Sequence, residues 1–238
     1  MDQYFEVSSF RYLNNSHCWY HFTFARVEFI LSDIKRDRII VLLIDKNREK
    51  MMAVIPSNLM EMYQNRILVG LLYSIKCFKL SWNPFGCPKY GGYKFLDDEY
   101  VIAVSNNTQF NLERRPDLHF PLYPLVTSIE SLVKMQRLRL MIDVVGKVIS
   151  GRFLGRNCAY EMTLQDKSGY VINLTLNDAP ETLPFMLSLA IRDHWVIYVA
   201  RVRLCEQGGH NYLSSTYISR VRFRPIMPEA EEISLIYG

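Results

Sequence analysis

Short apolar runs rich in β-branched residues, broken by polar turn signals, recur along most of this 238-residue chain. Such runs are the mark of short strands. In the C-terminal half the runs fall at 138–149, 160–166, 170–176, 195–204 and 217–223. Lys167, Ser168 and Gly169 separate the second run from the third and predict a tight hairpin turning at the glycine. Residues 179–191 hold two prolines and a mostly apolar stretch, with room for one short helix. Five strands with a single helical insert after the third fit a small closed barrel better than a two-sheet sandwich.

The N-terminal half repeats the order. After an aromatic stretch over 1–18, expected as a lead-in strand and loop, runs fall at 22–31, 39–45, 51–55, 68–80, 93–96 and 100–104. The polar stretch 45–50 joins the second and third as a hairpin. Pro56 followed by Ser57 and Asn58 starts a short helix to residue 63. Strand, strand, strand, helix, strand, strand thus occurs twice, at a spacing of about 110 residues, which is a domain-scale repeat. Residues 113–124 contain three prolines and no period, so they are expected as a linker. Ile129, Leu132, Val133 and Gln136 follow on a helical spacing. The resulting layout is a lead-in over 1–19, a first domain over 20–112, linker and helix over 113–137, a second domain over 138–228 and a tail over 229–238.

Composition narrows the class. No run approaches the roughly 20 apolar residues that span a bilayer, and residue 1 opens no secretory signal, so no membrane partner is expected. Cys18, Cys77, Cys87, Cys158 and Cys205 are odd in number and form no C-x-x-C pair, which favours reduced thiols inside the cell. Neither they nor His17, His21 and His119 have a metal-ligand spacing, and no cofactor is expected. The net charge of +4 is mild and even: residues 1–119 hold 15 basic and 13 acidic side chains, residues 120–238 hold 13 and 11. Any nucleic-acid contact must therefore come from local basic stripes rather than from bulk charge. Asp97, Asp98 and Glu99 read as a turn, Asp193 and His194 have no adjacent nucleophile, and no phosphate loop, G-x-S-x-G or H-E-x-x-H occurs. No enzyme is expected.

The motifs LRLMIDVVGKV (138–148), MTLQDKSGYVINLTL (162–176), ARV (200–202) with GG (208–209) and LSST (213–216), and RFRPIMPEA (222–230) resemble the large, 70 kDa DNA-binding subunit of replication protein A, in its plant-type form with two OB domains. RIIVLLID (38–45) and YKFLDDEYVIAVSNNT (93–108) are similar to the preceding OB domain of that family. The resemblance covers about residues 20–228. It implies a mainly β chain of two tandem OB-fold five-stranded barrels joined by a short linker and helix. It also implies non-catalytic, largely sequence-independent binding of single-stranded DNA in replication, repair or recombination, in the nucleus. Partners would be single-stranded DNA and, with it, replication protein A subunits or other genome-maintenance proteins. No stretch of these residues resembles the family's zinc-binding third DNA-binding domain or its trimerisation segment, so the usual heterotrimer is not expected.

In that family each barrel stacks bases on two aromatics, one on the third strand and one near the end of the barrel; each stack is worth about 1–3 kcal/mol. The corresponding positions here are Ile55 and Tyr93 in the first domain, Asn177 and Gln207 in the second. Only Tyr93 is aromatic, with Lys94 beside it; Trp82, Tyr90, Tyr160 and Tyr212 stand nearby in sequence. Lys35, Arg36 and Arg38, and likewise Arg152 and Arg156, lie in the loop between the first two strands, which closes over ligand in OB folds. Arg201 and Arg203 flank Val202, and Arg220, Arg222 and Arg224 alternate with Val221 and Phe223, so each set shares a strand face. These arginines are either a phosphate track or the solvated outer face of a half-buried strand. Phe29, Phe78, Phe95, Trp195 and Phe223 are assigned to the core. The rival to DNA binding is an OB-fold scaffold that docks proteins, its DNA-binding face decayed.

Overall fold

The structure, a computed structural model, describes residues 5–6, 10, 21–33, 37–82, 89–90, 93–94, 100–114, 119–135, 140–155, 159–177 and 183–237. The chain divides into two compact units, Met1–Cys87 with Leu96–Leu125, and Pro88–Phe95 with Val126–Gly238.

In chain order the first strands are β1 (Phe5–Glu6), β2 (His21–Asp33), β3 (Arg38–Ile44), β4 (Lys50–Pro56) and β5 (Leu72–Trp82). A two-stranded hairpin of β6 (Lys89–Tyr90) and β7 (Tyr93–Lys94) follows, then β8 (Tyr100–Ala103) and β9 (Gln109–Leu112). The sheet order is β1-β2-β3-β4-β8-β5-β9, and a further pairing of β2 with β5 closes five of these strands into a barrel. All pairs within the barrel are antiparallel except β4 with β8. A 3-10 turn (Ser57–Leu59) and α1 (Met60–Tyr63) fill the step from the third barrel strand to the fourth.

The second unit opens with α2 (Ile129–Lys134), capped by the Ser128 hydroxyl, which accepts from the Ser131 N–H. Then come β10 (Met141–Phe153), β11 (Tyr160–Gln165), β12 (Val171–Leu176), α3 (Leu183–Arg192), β13 (Val196–Gln207), β14 (His210–Ser214), β15 (Arg220–Phe223) and α4 (Pro228–Tyr237). Their order is β10-β11-β12-β14-β13-β15, closed by β10 with β13, and again only the third and fifth barrel strands, β12 and β14, run parallel. Strand order 1-2-3-5-4 closing on strand 1, with a helix between strands 3 and 4, describes both units.

Three strand expectations change. Residues 68–71 are a turn rather than the start of a strand: Gly70 has φ +87° and its N–H reaches the Val27 carbonyl. The fifth strand of the second barrel is β14, not 217–223; β15 pairs only with β13 and adds a sixth strand outside the closure. The first unit has a matching outer strand, β9, beyond the last one read from the sequence.

Each barrel is filled by alternate residues of its strands. Val27, Ile39, Val41, Leu43, Met51, Ala53, Ile55, Ile75 and Ile102 fill the first. Val144, Val148, Met162, Leu164, Ile172, Leu174, Leu204 and Leu213 fill the second. Gly151 is required by packing, since a Cβ there would come within 2.8 Å of the Tyr160 ring.

The same turn closes β3–β4 and β11–β12. Asp45 and Asp166 are both buried. Asp45 accepts the N–H groups of Asn47 and Glu49 on one oxygen and that of Phe10 on the other. Asp166 accepts Ser168 N–H on one and those of Ile129 and Glu130 on the other. In each unit a buried carboxylate thus ties the hairpin to the chain that precedes the barrel. Arg48 (φ +71°) stands where the second unit has Gly169 (φ +83°). Its guanidinium donates to the carbonyls of Tyr123 and Pro124, which hold it there.

Candidate nucleic-acid interface

In an OB barrel the outer face of strands 2 and 3, with its flanking loops, is where ligand lies. Residues between the inward-facing ones make up that face, and strand register sets them in rows. In the second unit one row is Ser150, Thr163, Asn173, Tyr212 and Cys205. The next is Arg152, Glu161, Thr175, Ser214 and Arg203. Every member is polar or, in Cys205, weakly so.

These side chains are already linked. The Ser150 hydroxyl donates to Thr163 Oγ1 at 2.9 Å, and Thr163 donates to Asn173 Oδ1 at 3.0 Å. Arg152 Nε meets Glu161 Oε2 at 2.6 Å, so the positive charge at this end is largely matched. Arg203 Nη2 lies 3.4 Å from Ser214 Oγ. Asn177, one step beyond β12, donates from Nδ2 to Ser214 Oγ and to the Ser215 carbonyl, each at 3.2 Å. Burial pushes the Tyr212 phenol above its ordinary value, the Cys205 thiol adds to the shift, and Arg203 opposes it.

The first unit inverts this polarity. The equivalent rows read Phe29, Leu42, Met52, and Leu31, Ile40, Val54, Ala103, Lys79. Ile40, Leu42 and Met52 are buried although they point away from the barrel interior. β3 is therefore covered on both sides, and the first unit offers no open polar face on its central strands.

The proposed site residues divide accordingly. Arg152, Arg203 and Tyr212 come together on the polar face of the second unit. Arg220 is exposed on β15, opposite Ala200, and belongs to neither row. Arg201 is corrected: it is 4% exposed, its N–H donates to Asp143 Oδ1 and its Nε to the Ile218 carbonyl. A bulge at Arg201, with φ +56°, breaks the alternation that would have put it beside Arg203. Arg38 is half-buried and pairs with Asp33 at 3.1 Å, so it braces the ends of β2 and β3. Lys35, Arg36 and Arg156 lie outside the described residues. Tyr93 and Lys94 pair in backbone register with Tyr90 and Lys89, and their side chains also lie outside the described residues. Of the family's stacking positions, Ile55 is buried inside the barrel, Asn177 is exposed, and Gln207 is exposed at the entry to the Gly208–Gly209 turn. Tyr160 points inward and is no substitute. Arg224 leaves the line of Arg220 and Arg222, its guanidinium 3.9 Å from the centre of the Trp195 ring.

The second unit also has a cleft of about 530 Å³ beside α4, lined by Lys147, Trp195, Arg224 and Tyr237 among others. Its cations are committed: Lys147 Nζ donates to the Tyr237 carbonyl and Arg224 covers Trp195. Among the described residues no group of His, Cys, Asp and Glu is placed to hold a metal, and no helix is long and apolar enough to cross a membrane.

Among solved structures, the chain is similar to a replication protein A heterotrimer bound to ssDNA. The TM-score is 0.53 and the identity 17%, over 97% of this chain and 55% of that one. Both units are OB barrels. The chain spans little more than half the length of that relative. The tetrameric p202 HIN2 (TM-score 0.43, 12% identity, 87% of this chain and 96% of that one) and a murine DNA-binding protein bound with dsDNA (0.40, 8%, 84% and 97%) are more distant. No protein-family model and no curated protein matches the sequence.

Proposed function

We propose that the protein binds single-stranded DNA, without catalysis, on the outer face of its second OB barrel. The observation that carries this is the contrast between the two barrels. The central positions are apolar and buried in the first, at Ile40, Leu42 and Met52, and polar and hydrogen-bonded in the second, with Arg152 and Arg203 at the two ends and Tyr212 between. A face that ends in guanidinium groups and is lined by hydroxyls and amides suits a phosphate-bearing chain. The likeness to a structure that held ssDNA supports the same choice of ligand. Nuclear work in replication, repair or recombination is the setting that goes with it, with other genome-maintenance proteins as partners.

With one aromatic on the face, affinity should be modest. Titration of a mixed-sequence single strand at two salt concentrations tests the proposal. Binding at low salt that weakens as salt rises is expected, because phosphate contacts release counterions. An absence of binding at low salt refutes it.

A second function, protein docking, is favoured for the first unit by one observation. Leu68, Val69 and Leu71 are exposed in the turn before β5, and Leu112 is exposed on β9 opposite Tyr73. Together they form an apolar edge that single strands have no use for.

A further inference from the structure

Building on single-strand binding by the second barrel, we propose that this face reads base edges, and selects bases with an exocyclic amino group over thymine. The argument starts from Asn177. Its Nδ2 donates to the carbonyl of Ser215, which can only accept, so the amide cannot be reversed. Its N–H is held as well, by Ser215 Oγ at 2.8 Å. With the amino end fixed against β14, the exposed side chain turns its Oδ1 carbonyl outward as an acceptor.

Asn173 is held the other way round. Its Oδ1 accepts from Thr163, itself fixed by Ser150, and leaves the amino group as an exposed donor. Thr175 lies between them on the same side, about 7 Å from each along the extended chain. The face thus presents, in order, a donor, a hydroxyl that can do either, and an acceptor. All three sit on or just beyond one strand, and the Asn177 amide is pre-set by the Ser215 carbonyl.

Stacking accepts every base, because every base has a π-face. Fixed hydrogen-bonding groups do not; they discriminate on the edges of unstacked bases. Cytosine and adenine carry an exocyclic amino donor for Asn177 Oδ1 beside a ring-nitrogen acceptor, whereas thymine has no amino group and its one donor, N3–H, lies between two carbonyls that face the same acceptor. The oriented amide of Asn177 therefore makes binding on this face selective.

The test uses three strands of one length at mildly alkaline pH: oligo-dC, oligo-dT, and an oligo-dC analogue whose bases are pyrimidin-2-one and so lack the amino group. Oligo-dC is expected to bind about tenfold more tightly than oligo-dT, and the analogue to fall to the oligo-dT level. Asn177→Ala, checked for an intact fold by its melting curve, should bring all three together. Binding of all three within twofold overturns the inference while leaving single-strand binding in place. Preference for oligo-dC that survives in the pyrimidin-2-one analogue overturns it too. No binding of any strand at low salt refutes the underlying function instead.

Discussion

Ser219 Oγ donates to the carbonyl of Arg201 at 2.7 Å, at the point where β13 takes a left-handed step. The first unit repeats the arrangement. Thr108 Oγ1 donates to the carbonyl of Cys77 at 3.2 Å, and Cys77 has the same φ of +56°. Each hydroxyl also accepts an N–H three residues before it, from Thr216 and Ser105 respectively. A left-handed non-glycine residue costs roughly 1–2 kcal/mol, so a hydroxyl that fixes the adjacent carbonyl stabilises the bulge. Ser219→Ala and Thr108→Val should each lower stability by about 1–2 kcal/mol, the loss of two ordinary hydrogen bonds partly exposed to water. Chemical denaturation measures this; a change under about 0.3 kcal/mol in both would show the bulge is held by packing alone.

Asp166 and Asp45 should be far less tolerant. Asp166→Ala leaves the N–H groups of Ile129, Glu130 and Ser168 without their acceptor, and most of that site is buried. A loss of about 2–4 kcal/mol is expected from several charge-assisted bonds removed together. Hydrogen exchange locates the effect. Amides of the β11–β12 hairpin and the start of α2 should lose protection, while those of β3–β4 keep theirs. Asp45→Ala should produce the reverse pattern.

Alkali should destabilise the fold through two tyrosines. Burial raises the Tyr63 phenol above its ordinary value of 10.0, with Arg66 opposing, and its hydroxyl donates to the Thr108 carbonyl. Burial likewise raises Tyr212, assisted by Cys205. The folded state therefore keeps protons that the unfolded chain releases at about pH 10. Stability from these groups is complete below that pH and falls as pH climbs from 10 through the raised folded values. Denaturation midpoints measured from neutral to alkaline pH should decline from about pH 10, and less steeply in Tyr63→Phe. An identical decline in wild type and variant would remove Tyr63 from the account.

Much of the fold was legible because alternation is a local signal. β11 and β12 follow from it, β2, β3, β4, β10 and β13 follow from short runs rich in apolar and β-branched residues, and the hairpin follows from Gly169. β14 was missed because HNYLS is short and polar at most positions: the Gly208–Gly209 turn marks its hairpin with β13, but its parallel pairing with β12, Asn173 beside Tyr212, leaves no local trace. Arg201 was misplaced for a related reason. Alternation predicts a shared face for Arg201 and Arg203 only while the strand is regular, and one left-handed residue reverses it. The polarity of the two faces, by contrast, stood in the sequence. IIVLLI is apolar at six consecutive positions, the mark of a strand covered on both sides, whereas YEMTLQ and VINLTL alternate. Asn177 read as a lost stacking residue. Its fixed amide depends on Ser215, 38 residues away, and only the barrel brings the two together.

Glu161 makes the most direct test of the polar face. It pairs with Arg152 at 2.6 Å and is the only acid in the two rows, so it cancels one of the two guanidinium charges that a phosphate would meet. The pair is substantially exposed, and such pairs contribute little to stability, about 0–1 kcal/mol. Glu161→Gln should therefore leave the fold nearly unchanged, release Arg152 and tighten binding of single strands. If Arg152 then gains one phosphate, the slope of log K against log salt should steepen by about 0.7. Arg152→Ala should change the wild-type slope little, since that charge is already matched, but should abolish the gain in the Glu161→Gln background. A gain that persists without Arg152 would mean the phosphates run elsewhere, with Arg220 and Arg222 on β15 as the next cations to test.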